Sequence, residues 1–107
     1  MFGIFQYIMA STQQSLKERI RVNEPPRRYA VVMHNDDVTT MDFVVAVLCT
    51  VFNKNEDDAV ELMLKVHHTG SAVVGVYSSD VAHSKVRKAT AMACNVGFPF
   101  KLTVQPE

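Results

Sequence analysis

The sequence predicts an α+β fold, a two-layer sandwich in which a three-stranded antiparallel sheet packs on three helices. Three short runs rich in β-branched and aromatic residues, at positions 29–33, 72–77 and 100–104, have the length and composition of strands. The segments between these runs carry apolar residues at three- and four-residue steps, which is the spacing of a buried helical face. The resulting order β-α-α-β-α-β places helices on one side of a sheet.

The chain of 107 residues has the length of a single domain. Residues 10–28 are polar and end near Pro25 and Pro26, which favour extended backbone, so we expect a flexible N-terminal extension over residues 1–28 and a folded core over residues 29–107. The apolar stretch at the start of the chain is only about ten residues long, too short to cross a bilayer. It also lacks the basic residues of a signal or transit peptide, and the expected location is cytoplasmic.

The first predicted strand ends at three consecutive polar residues, Asn35, Asp36 and Asp37, which are typical of a turn. Thr39 or Thr40 is placed to cap the helix that follows, and Thr39 with Asp42 fits a capping box. The apolar stripe that predicts the buried face of this helix consists of Met41, Val44, Val45, Leu48, Val51 and Phe52.

The second predicted helix follows a break at residues 53–55 and opens with acidic residues 56–58, which the positive end of the helix dipole favours. Gly70 supplies a left-handed stop at its end. Ser78 and Ser79 can cap the third helix, which stops at Gly97. The predicted buried positions of these two helices are Ala59, Leu62, Met63 and Val66 in the second, and Ala82, Val86, Ala89 and Ala93 in the third.

Charge and cysteine content exclude several classes of function. Eleven basic residues balance eleven acidic ones, so the basic excess that favours nucleic acid or an anionic membrane is missing, and neither is an expected partner. The two cysteines, Cys49 and Cys94, lie far apart in helical patterns and in no metal-ligand spacing. We expect reduced, buried thiols that pack as small hydrophobes.

The Asn-Asp-Asp cluster is the first candidate for chemistry. Ionised carboxylates only accept hydrogen bonds, whereas an asparagine side chain both donates and accepts. Such a loop suits a compact cation rich in donors, and an ammonium group with three N–H donors qualifies. Oxygen ligands also suit Mg²⁺ or Ca²⁺, but the spacing is not that of an EF-hand loop. A strand-to-helix turn with solvated acids is the third interpretation, and it is the one that spacing alone favours.

Met63 and His67 are the second candidate, because residues four apart lie on the same face of a helix. They fall at the edge of the apolar stripe, where side chains can line a shallow pocket; a core methionine beside a half-buried histidine is the alternative. A small hydrolase using an acid of the loop and His67 is a further alternative, but the sequence contains neither a nucleophile elbow nor a reactive-cysteine context. No cofactor is expected.

Four segments, in this order, resemble the ClpS family of adaptor proteins: "HNDDVTTMDFVVAVL", "LMLKVHHTG", "VVGVYSSDVAHSKV" and "PFKLTVQPE". The resemblance covers residues 29–106. It implies a non-enzymatic adaptor that binds proteins whose free N-terminal residue is Leu, Phe, Tyr or Trp. Such an adaptor delivers these N-degron substrates to an AAA+ Clp unfoldase and its peptidase, by docking on the N-terminal domain of a ClpA- or ClpC-type partner.

The resemblance also assigns roles by position. The α-amino group and first peptide unit of the substrate would be bound by Asn35, Asp36, Asp37 and His67. The pocket for the first side chain would be lined by Thr39, Met41, Val44, Met63 and Phe100. Asp80 and Lys85 would dock on the unfoldase, and the N-terminal extension would engage it during delivery.

Four positions depart from the family pattern. The family commonly has an aromatic residue at the position of Val38 and a proline at that of Thr40, so we expect a less rigid loop. It usually has a leucine at the position of Phe100, and we hypothesise that the larger ring narrows the pocket and disfavours Trp. His83 replaces an acid on the docking helix, which bears on affinity for the unfoldase.

Overall fold

A computed structural model of the chain describes residues 27–107, so most of the predicted extension lies outside the described residues. Three strands and three helices follow one another in the predicted order. Their bounds are β1 Tyr29–His34, α1 Met41–Thr50, α2 Glu56–Thr69, β2 Ser71–Tyr77, α3 Ser79–Val96 and β3 Lys101–Pro106.

The strands form an antiparallel sheet in the order β2-β1-β3, which confirms the predicted fold class. His34, the last residue of the central strand, pairs with Ser71 on one side and with Lys101 on the other. The end of β1 therefore lies beside the starts of both neighbouring strands. This register brings the loop after β1, the end of α2 and the residue before β3 to one edge of the sheet.

The hydrophobic core lies between the sheet and the helices. Its largest fully buried side chains are Val31, Met33, Val47 and Leu48. Burying each such side chain stabilises the fold by about 1.5–3 kcal/mol. The third helix contributes Ala82, Ala89 and Ala93, whose small side chains are buried against this core.

The start of α1 differs from the prediction in two ways. Thr40 is the N-cap, and its Oγ1 accepts a hydrogen bond from the amide of Phe43 at 3.2 Å. The predicted capping box of Thr39 with Asp42 is wrong, because the Thr39 hydroxyl donates to Asp36 instead. Met41, the first residue of the helix, is 48% exposed rather than buried.

The other helix ends agree with their sequence signals, except that the side chain of Ser78, the N-cap of α3, forms no capping hydrogen bond. Asn55 Oδ1 caps α2 by accepting from the amide of Asp58 at 2.8 Å. Gly70 and Gly97 end α2 and α3 with φ angles of 94° and 79°, which glycine adopts without steric strain. Both cysteines are free thiols, but Cys94 is exposed and only Cys49 is partly buried, so the expectation of buried thiols is wrong for Cys94. Among residues 27–107, no helix is long and apolar enough to span a membrane.

Candidate functional site

A cavity of about 390 Å³ opens at the sheet edge where β1 ends. The loop after β1, the start of α1, the last turns of α2 and Phe100 form its walls. Every residue predicted to bind the amine or to line the side-chain pocket contributes to this cavity. Residues that are distant in sequence therefore meet at one place, because the antiparallel register brings their elements together.

The cavity is apolar at its base and polar at its mouth. Phe100, Met33 and Val66 are almost completely buried and form the base. Val44 and Met63 are half-buried along the walls. At the mouth, Asn35, Asp37 and His67 are exposed, and so are the apolar side chains of Val38 and Met41.

Asp36 organises the loop. Its Oδ1 accepts hydrogen bonds from the amides of Val38 and Thr39 at 2.8 and 2.7 Å, and its Oδ2 accepts from the Thr39 hydroxyl at 2.8 Å. Burial raises the pKa of Asp36, but the hydrogen bonds from Thr39 and Val38 outweigh it and hold the pKa below its usual value. Both carboxylate oxygens are thus engaged within the protein.

Asp37 is in the opposite situation. Its side chain is exposed, and no group among residues 27–107 donates a hydrogen bond to its carboxylate. The two neighbouring acids consequently differ in role: one fixes the backbone of the loop, and the other presents a negative charge at the mouth of the cavity.

Asn35 and His67 complete the polar part of the mouth. The backbone amide of Asn35 donates to the carbonyl of Gly70 at 2.8 Å, which ties the loop to the turn between α2 and β2. His67 lies one helical turn after Met63 on α2, and its ring packs edge-on against His68 at 5.4 Å. Within the described part of the chain, the side chains of Asn35 and His67 form no hydrogen bonds. Three polar side chains are therefore available to one ligand.

Such a mouth is complementary to a cationic donor. An ionised carboxylate accepts, an amide accepts and donates, and a neutral imidazole accepts through one nitrogen. An ammonium group placed among them would find acceptors on several sides, with an apolar base directly beneath. The arrangement thus suits a ligand that joins an ammonium group to a hydrophobic side chain.

Several lining residues were not predicted. His34 lines the cavity, and a hydrogen bond of 2.9 Å joins its Nε2 to Thr103 Oγ1 of β3. Met33 and Val66 form part of the base. The signal for Met33 and His34 was their position directly before the acidic loop, but strand alternation alone does not reveal which strand end faces a cavity. Val66 lies between Met63 and His67 on α2 and was assigned to the core alone.

Asp80 and Lys85 lie apart from this cavity, on the first turns of α3. Together with His83 and Arg87 they line a shallow depression on the surface. Lys85 Nζ donates to the carbonyl of Val51 at 2.7 Å and lies over the rings of Phe52 and Tyr77, at 5.9 and 5.4 Å from their centres.

His83 is also held by its own helix, because its Nδ1 donates to the carbonyl of Ser79 at 2.8 Å. Asp80 is the exposed acid of this surface. The structure brings the two predicted docking residues to one face, and it engages one of them in an internal contact.

The fold and the cavity together define a small α+β binding module. The model of the family described as "ATP-dependent Clp protease adaptor protein ClpS" matches residues 24–103. The chain belongs to the ClpS family, and it is an adaptor of the ATP-dependent Clp protease.

Similar proteins agree with this assignment. The chain is 47% identical over 92 residues to the ATP-dependent Clp protease adapter protein ClpS of Desulfatibacillum aliphaticivorans, covering 86% of this chain and 88% of that protein. It is 47% identical over 93 residues to the ClpS of Wolinella succinogenes, with 87% and 90% covered. Among solved structures, Agrobacterium tumefaciens ClpS2 bound to L-phenylalaninamide is similar with a TM-score of 0.75 and 41% identity, over 78% of this chain and all of that one.

Proposed function

We propose that this adaptor recognises proteins whose first residue is a large hydrophobe with a free α-amino group, and delivers them to a Clp AAA+ unfoldase for degradation. The observation that carries the proposal is the exposed Asp37 carboxylate, which accepts no hydrogen bond from residues 27–107, at the mouth of an apolar cavity. The role is binding rather than catalysis.

The charge of the amine supplies the specificity for a chain terminus. An α-amino group has an ordinary pKa near 8 and is mostly protonated at neutral pH. Asp37 attracts this cation, while the side chains of Asn35 and His67 provide further polar contacts. Each charge-assisted hydrogen bond contributes about 1.5–3 kcal/mol. An internal peptide segment has no such cation, and it would leave the Asp37 carboxylate unpaired.

The apolar base supplies the preference for the first side chain. Burying a large hydrophobe there contributes roughly 1.5–3 kcal/mol. Met41 and Met63 have unbranched, polarisable side chains that adapt to Leu as well as to aromatic rings. Val44 is β-branched and stiff, so it clashes with a first residue that is itself β-branched, such as Ile or Val. After the entropy of association is subtracted, dissociation constants of roughly micromolar or below are expected.

The similar structure of ClpS2 gives independent support. L-phenylalaninamide, the ligand in that structure, combines a free α-amino group with an aromatic side chain. These are the two features that the mouth and the base of the present cavity complement.

The phenylalanine at position 100 is expected to modify the preference. Its ring is 6% exposed and occupies the base of the cavity, where the family usually has a leucine. A larger group at the base leaves less depth for the indole of Trp. We expect weaker binding of Trp-initiated than of Leu-initiated peptides, and equal affinities would contradict this part of the proposal.

The decisive experiment compares peptides that differ only at the N-terminus. A fluorescent peptide that begins with free Phe or Leu should bind, and the same peptide should lose its affinity after N-acetylation, which removes the charge. Indifference to acetylation would instead indicate a general peptide-binding domain. Consumption of the peptide, followed by mass spectrometry, would indicate a hydrolase.

For delivery, we propose that Asp80 and Lys85 contact the N-terminal domain of a ClpA- or ClpC-type unfoldase, and that residues 1–28 engage it during transfer. Asp80 is exposed at the start of α3, on a surface separate from the cavity, so substrate and unfoldase can be bound together. Asp80→Arg should weaken binding to the isolated N-terminal domain of the unfoldase while peptide affinity stays the same. Equal binding by the variant and the wild type would remove Asp80 from the docking surface.

A further inference from the structure

Three phenylalanine rings form a cluster that ends at the cavity. Phe100 is the member that lines the cavity. The ring of Phe43 packs edge-to-face against Phe100, with ring centres 5.9 Å apart and an interplanar angle of 86°. Phe43 also packs edge-on against Phe98, at 5.2 Å and 73°. Neither Phe43 nor Phe98 lines the cavity itself.

Hydrogen bonds of the backbone hold the two residues that carry the outer rings. Phe43 lies in the first turn of α1, where its amide donates to the N-cap oxygen of Thr40. Phe98 follows Gly97 at the end of α3, and its amide donates to the carbonyl of Ala93 at 2.9 Å. Two different helices therefore hold the rings that contact Phe100 directly or through Phe43.

A phenylalanine side chain has only two torsion angles, and edge-to-face contacts restrict both. The orientation of the Phe100 ring is consequently set by its neighbours. Because this ring forms the base of the cavity, a change in its orientation changes the depth open to a bound side chain.

We propose that Phe43 and Phe98 are positioning residues that set the size of the first side chain admitted to the cavity, by holding the ring of Phe100 in place. This inference rests on the proposed recognition of hydrophobic N-terminal residues. It assigns the expected preference for Leu and Phe over Trp to two residues outside the lining of the cavity, which act through Phe100.

The test measures the affinities of peptides that begin with Leu, Phe or Trp and are otherwise identical, by fluorescence anisotropy. In Phe43→Leu and in Phe98→Leu, the Phe100 ring gains freedom, and the ratio of Trp to Leu affinity should rise about three- to tenfold. A loss of stability alone would lower all affinities together and leave this ratio unchanged. Phe98→Leu keeps the direct contact of Phe43 with Phe100, so this variant replaces Phe43→Leu in the test if Phe43→Leu does not fold.

Two controls distinguish an effect on the position of the Phe100 ring from a general loss of packing in the core. Phe52→Leu removes a buried ring that contacts Tyr77 rather than the cluster, and the ratio should stay as in the wild type. In a Phe100→Leu background the ratio should already be high, and adding Phe43→Leu should not change it further.

An unchanged ratio in both Phe43→Leu and Phe98→Leu would overturn the inference, as would an equal shift in Phe52→Leu. A shift that persists in full without the Phe100 ring would also overturn it, because Phe43 would then act by another route. In all three cases the wild type still binds free N-terminal hydrophobes, so the proposed function stands. Failure of the wild type to bind any of these peptides would instead refute the proposed function, and this inference with it.

Discussion

The loop at the cavity mouth and the first turns of α3 both carry charged side chains, but the two regions use them differently. At the mouth, Asp37 and His67 are exposed beside an apolar cavity and form no internal hydrogen bonds within the described chain. On α3, Lys85 and His83 are bonded to backbone carbonyls of the protein. A polar side chain without a hydrogen-bond partner beside an apolar cavity indicates a binding site for a ligand. A polar side chain that is already hydrogen-bonded within the protein has a structural role in the first place.

The same contrast occurs between adjacent residues. Asp36 accepts hydrogen bonds from Val38 and Thr39 through both oxygens, and Asp37 accepts none within residues 27–107. Substitutions at these positions should therefore separate binding from stability, and each of the following experiments tests that separation.

The largest effect is expected for Asp37→Ala. Removing the unpaired carboxylate deletes a charge-assisted hydrogen bond and leaves the ammonium group of the peptide undersatisfied, so affinity for a Leu-initiated peptide should fall about a hundredfold. The thermal unfolding midpoint should not change, because the side chain is exposed and forms no hydrogen bond with residues 27–107. Anisotropy titration and thermal denaturation of the same sample provide both measurements.

Asp42→Ala is the matched control, since Asp42 is an exposed acid of the neighbouring first turn of α1 that does not line the cavity. Screened by solvent and salt, it should change affinity by less than about threefold. Unchanged affinity in Asp37→Ala, or an equal loss in both variants, would contradict the assignment of the amine site.

Asp36→Ala should lower both the stability of the protein and its affinity for peptides. The substitution frees two backbone amides and the Thr39 hydroxyl, and by analogy with the loss of a helix N-cap it should lower the free energy of unfolding by about 0.5–2 kcal/mol. Peptide affinity should fall as well, because Asp37 is presented by the loop that Asp36 holds. Urea denaturation checks the first expectation, and full stability with weakened binding would instead place Asp36 in direct contact with the substrate.

Lys85→Met should have the opposite pattern of effects to Asp37→Ala: it should lower stability and leave peptide affinity unchanged. Methionine keeps the apolar stem but loses the hydrogen bond to Val51 and the contacts with two rings, so the free energy of unfolding should fall by about 1 kcal/mol. Peptide affinity should remain that of the wild type. Thermal denaturation and peptide titration measure the two effects. A variant as stable as the wild type would show that the internal contacts of Lys85 contribute little to the free energy of unfolding.

The sequence predicted the order of elements and the C-terminal ends of α2 and α3 well, because periodicity, Gly70 and Gly97 are local signals. It also predicted residues that meet at the cavity, although their roles were assigned from the matching positions of the ClpS family. The sequence could not predict the separate roles of Asp36 and Asp37. Two adjacent acidic residues look the same in a sequence pattern, and only their hydrogen-bond partners in the structure distinguish them. The same limit applies to Lys85: no local signal connects it to Val51, which is 34 residues away.

The aromatic cluster illustrates a further limit. Phe43, Phe98 and Phe100 are all visible in the sequence, but Phe43 lies outside the apolar stripe that predicted the buried face of α1. Their contact depends on where α1 and the end of α3 meet the start of β3. Such contacts follow from tertiary packing, which periodicity does not encode.

The smallest effect is expected from pH, and it tests the role of the Asp36 charge in the loop. The pKa of Asp36 is lowered in the folded protein, so its ionised form stabilises the fold at pH values above the ordinary pKa of an aspartate, about 3.9. This contribution is lost as the pH falls through the lower, folded pKa. The difference in free energy of unfolding between the wild type and Asp36→Asn should therefore be constant from about pH 7 to pH 5 and shrink below about pH 4. A difference that stays constant down to about pH 2 would mean that the charge of Asp36 does not stabilise the loop, and that its hydrogen bonds are equally strong without it.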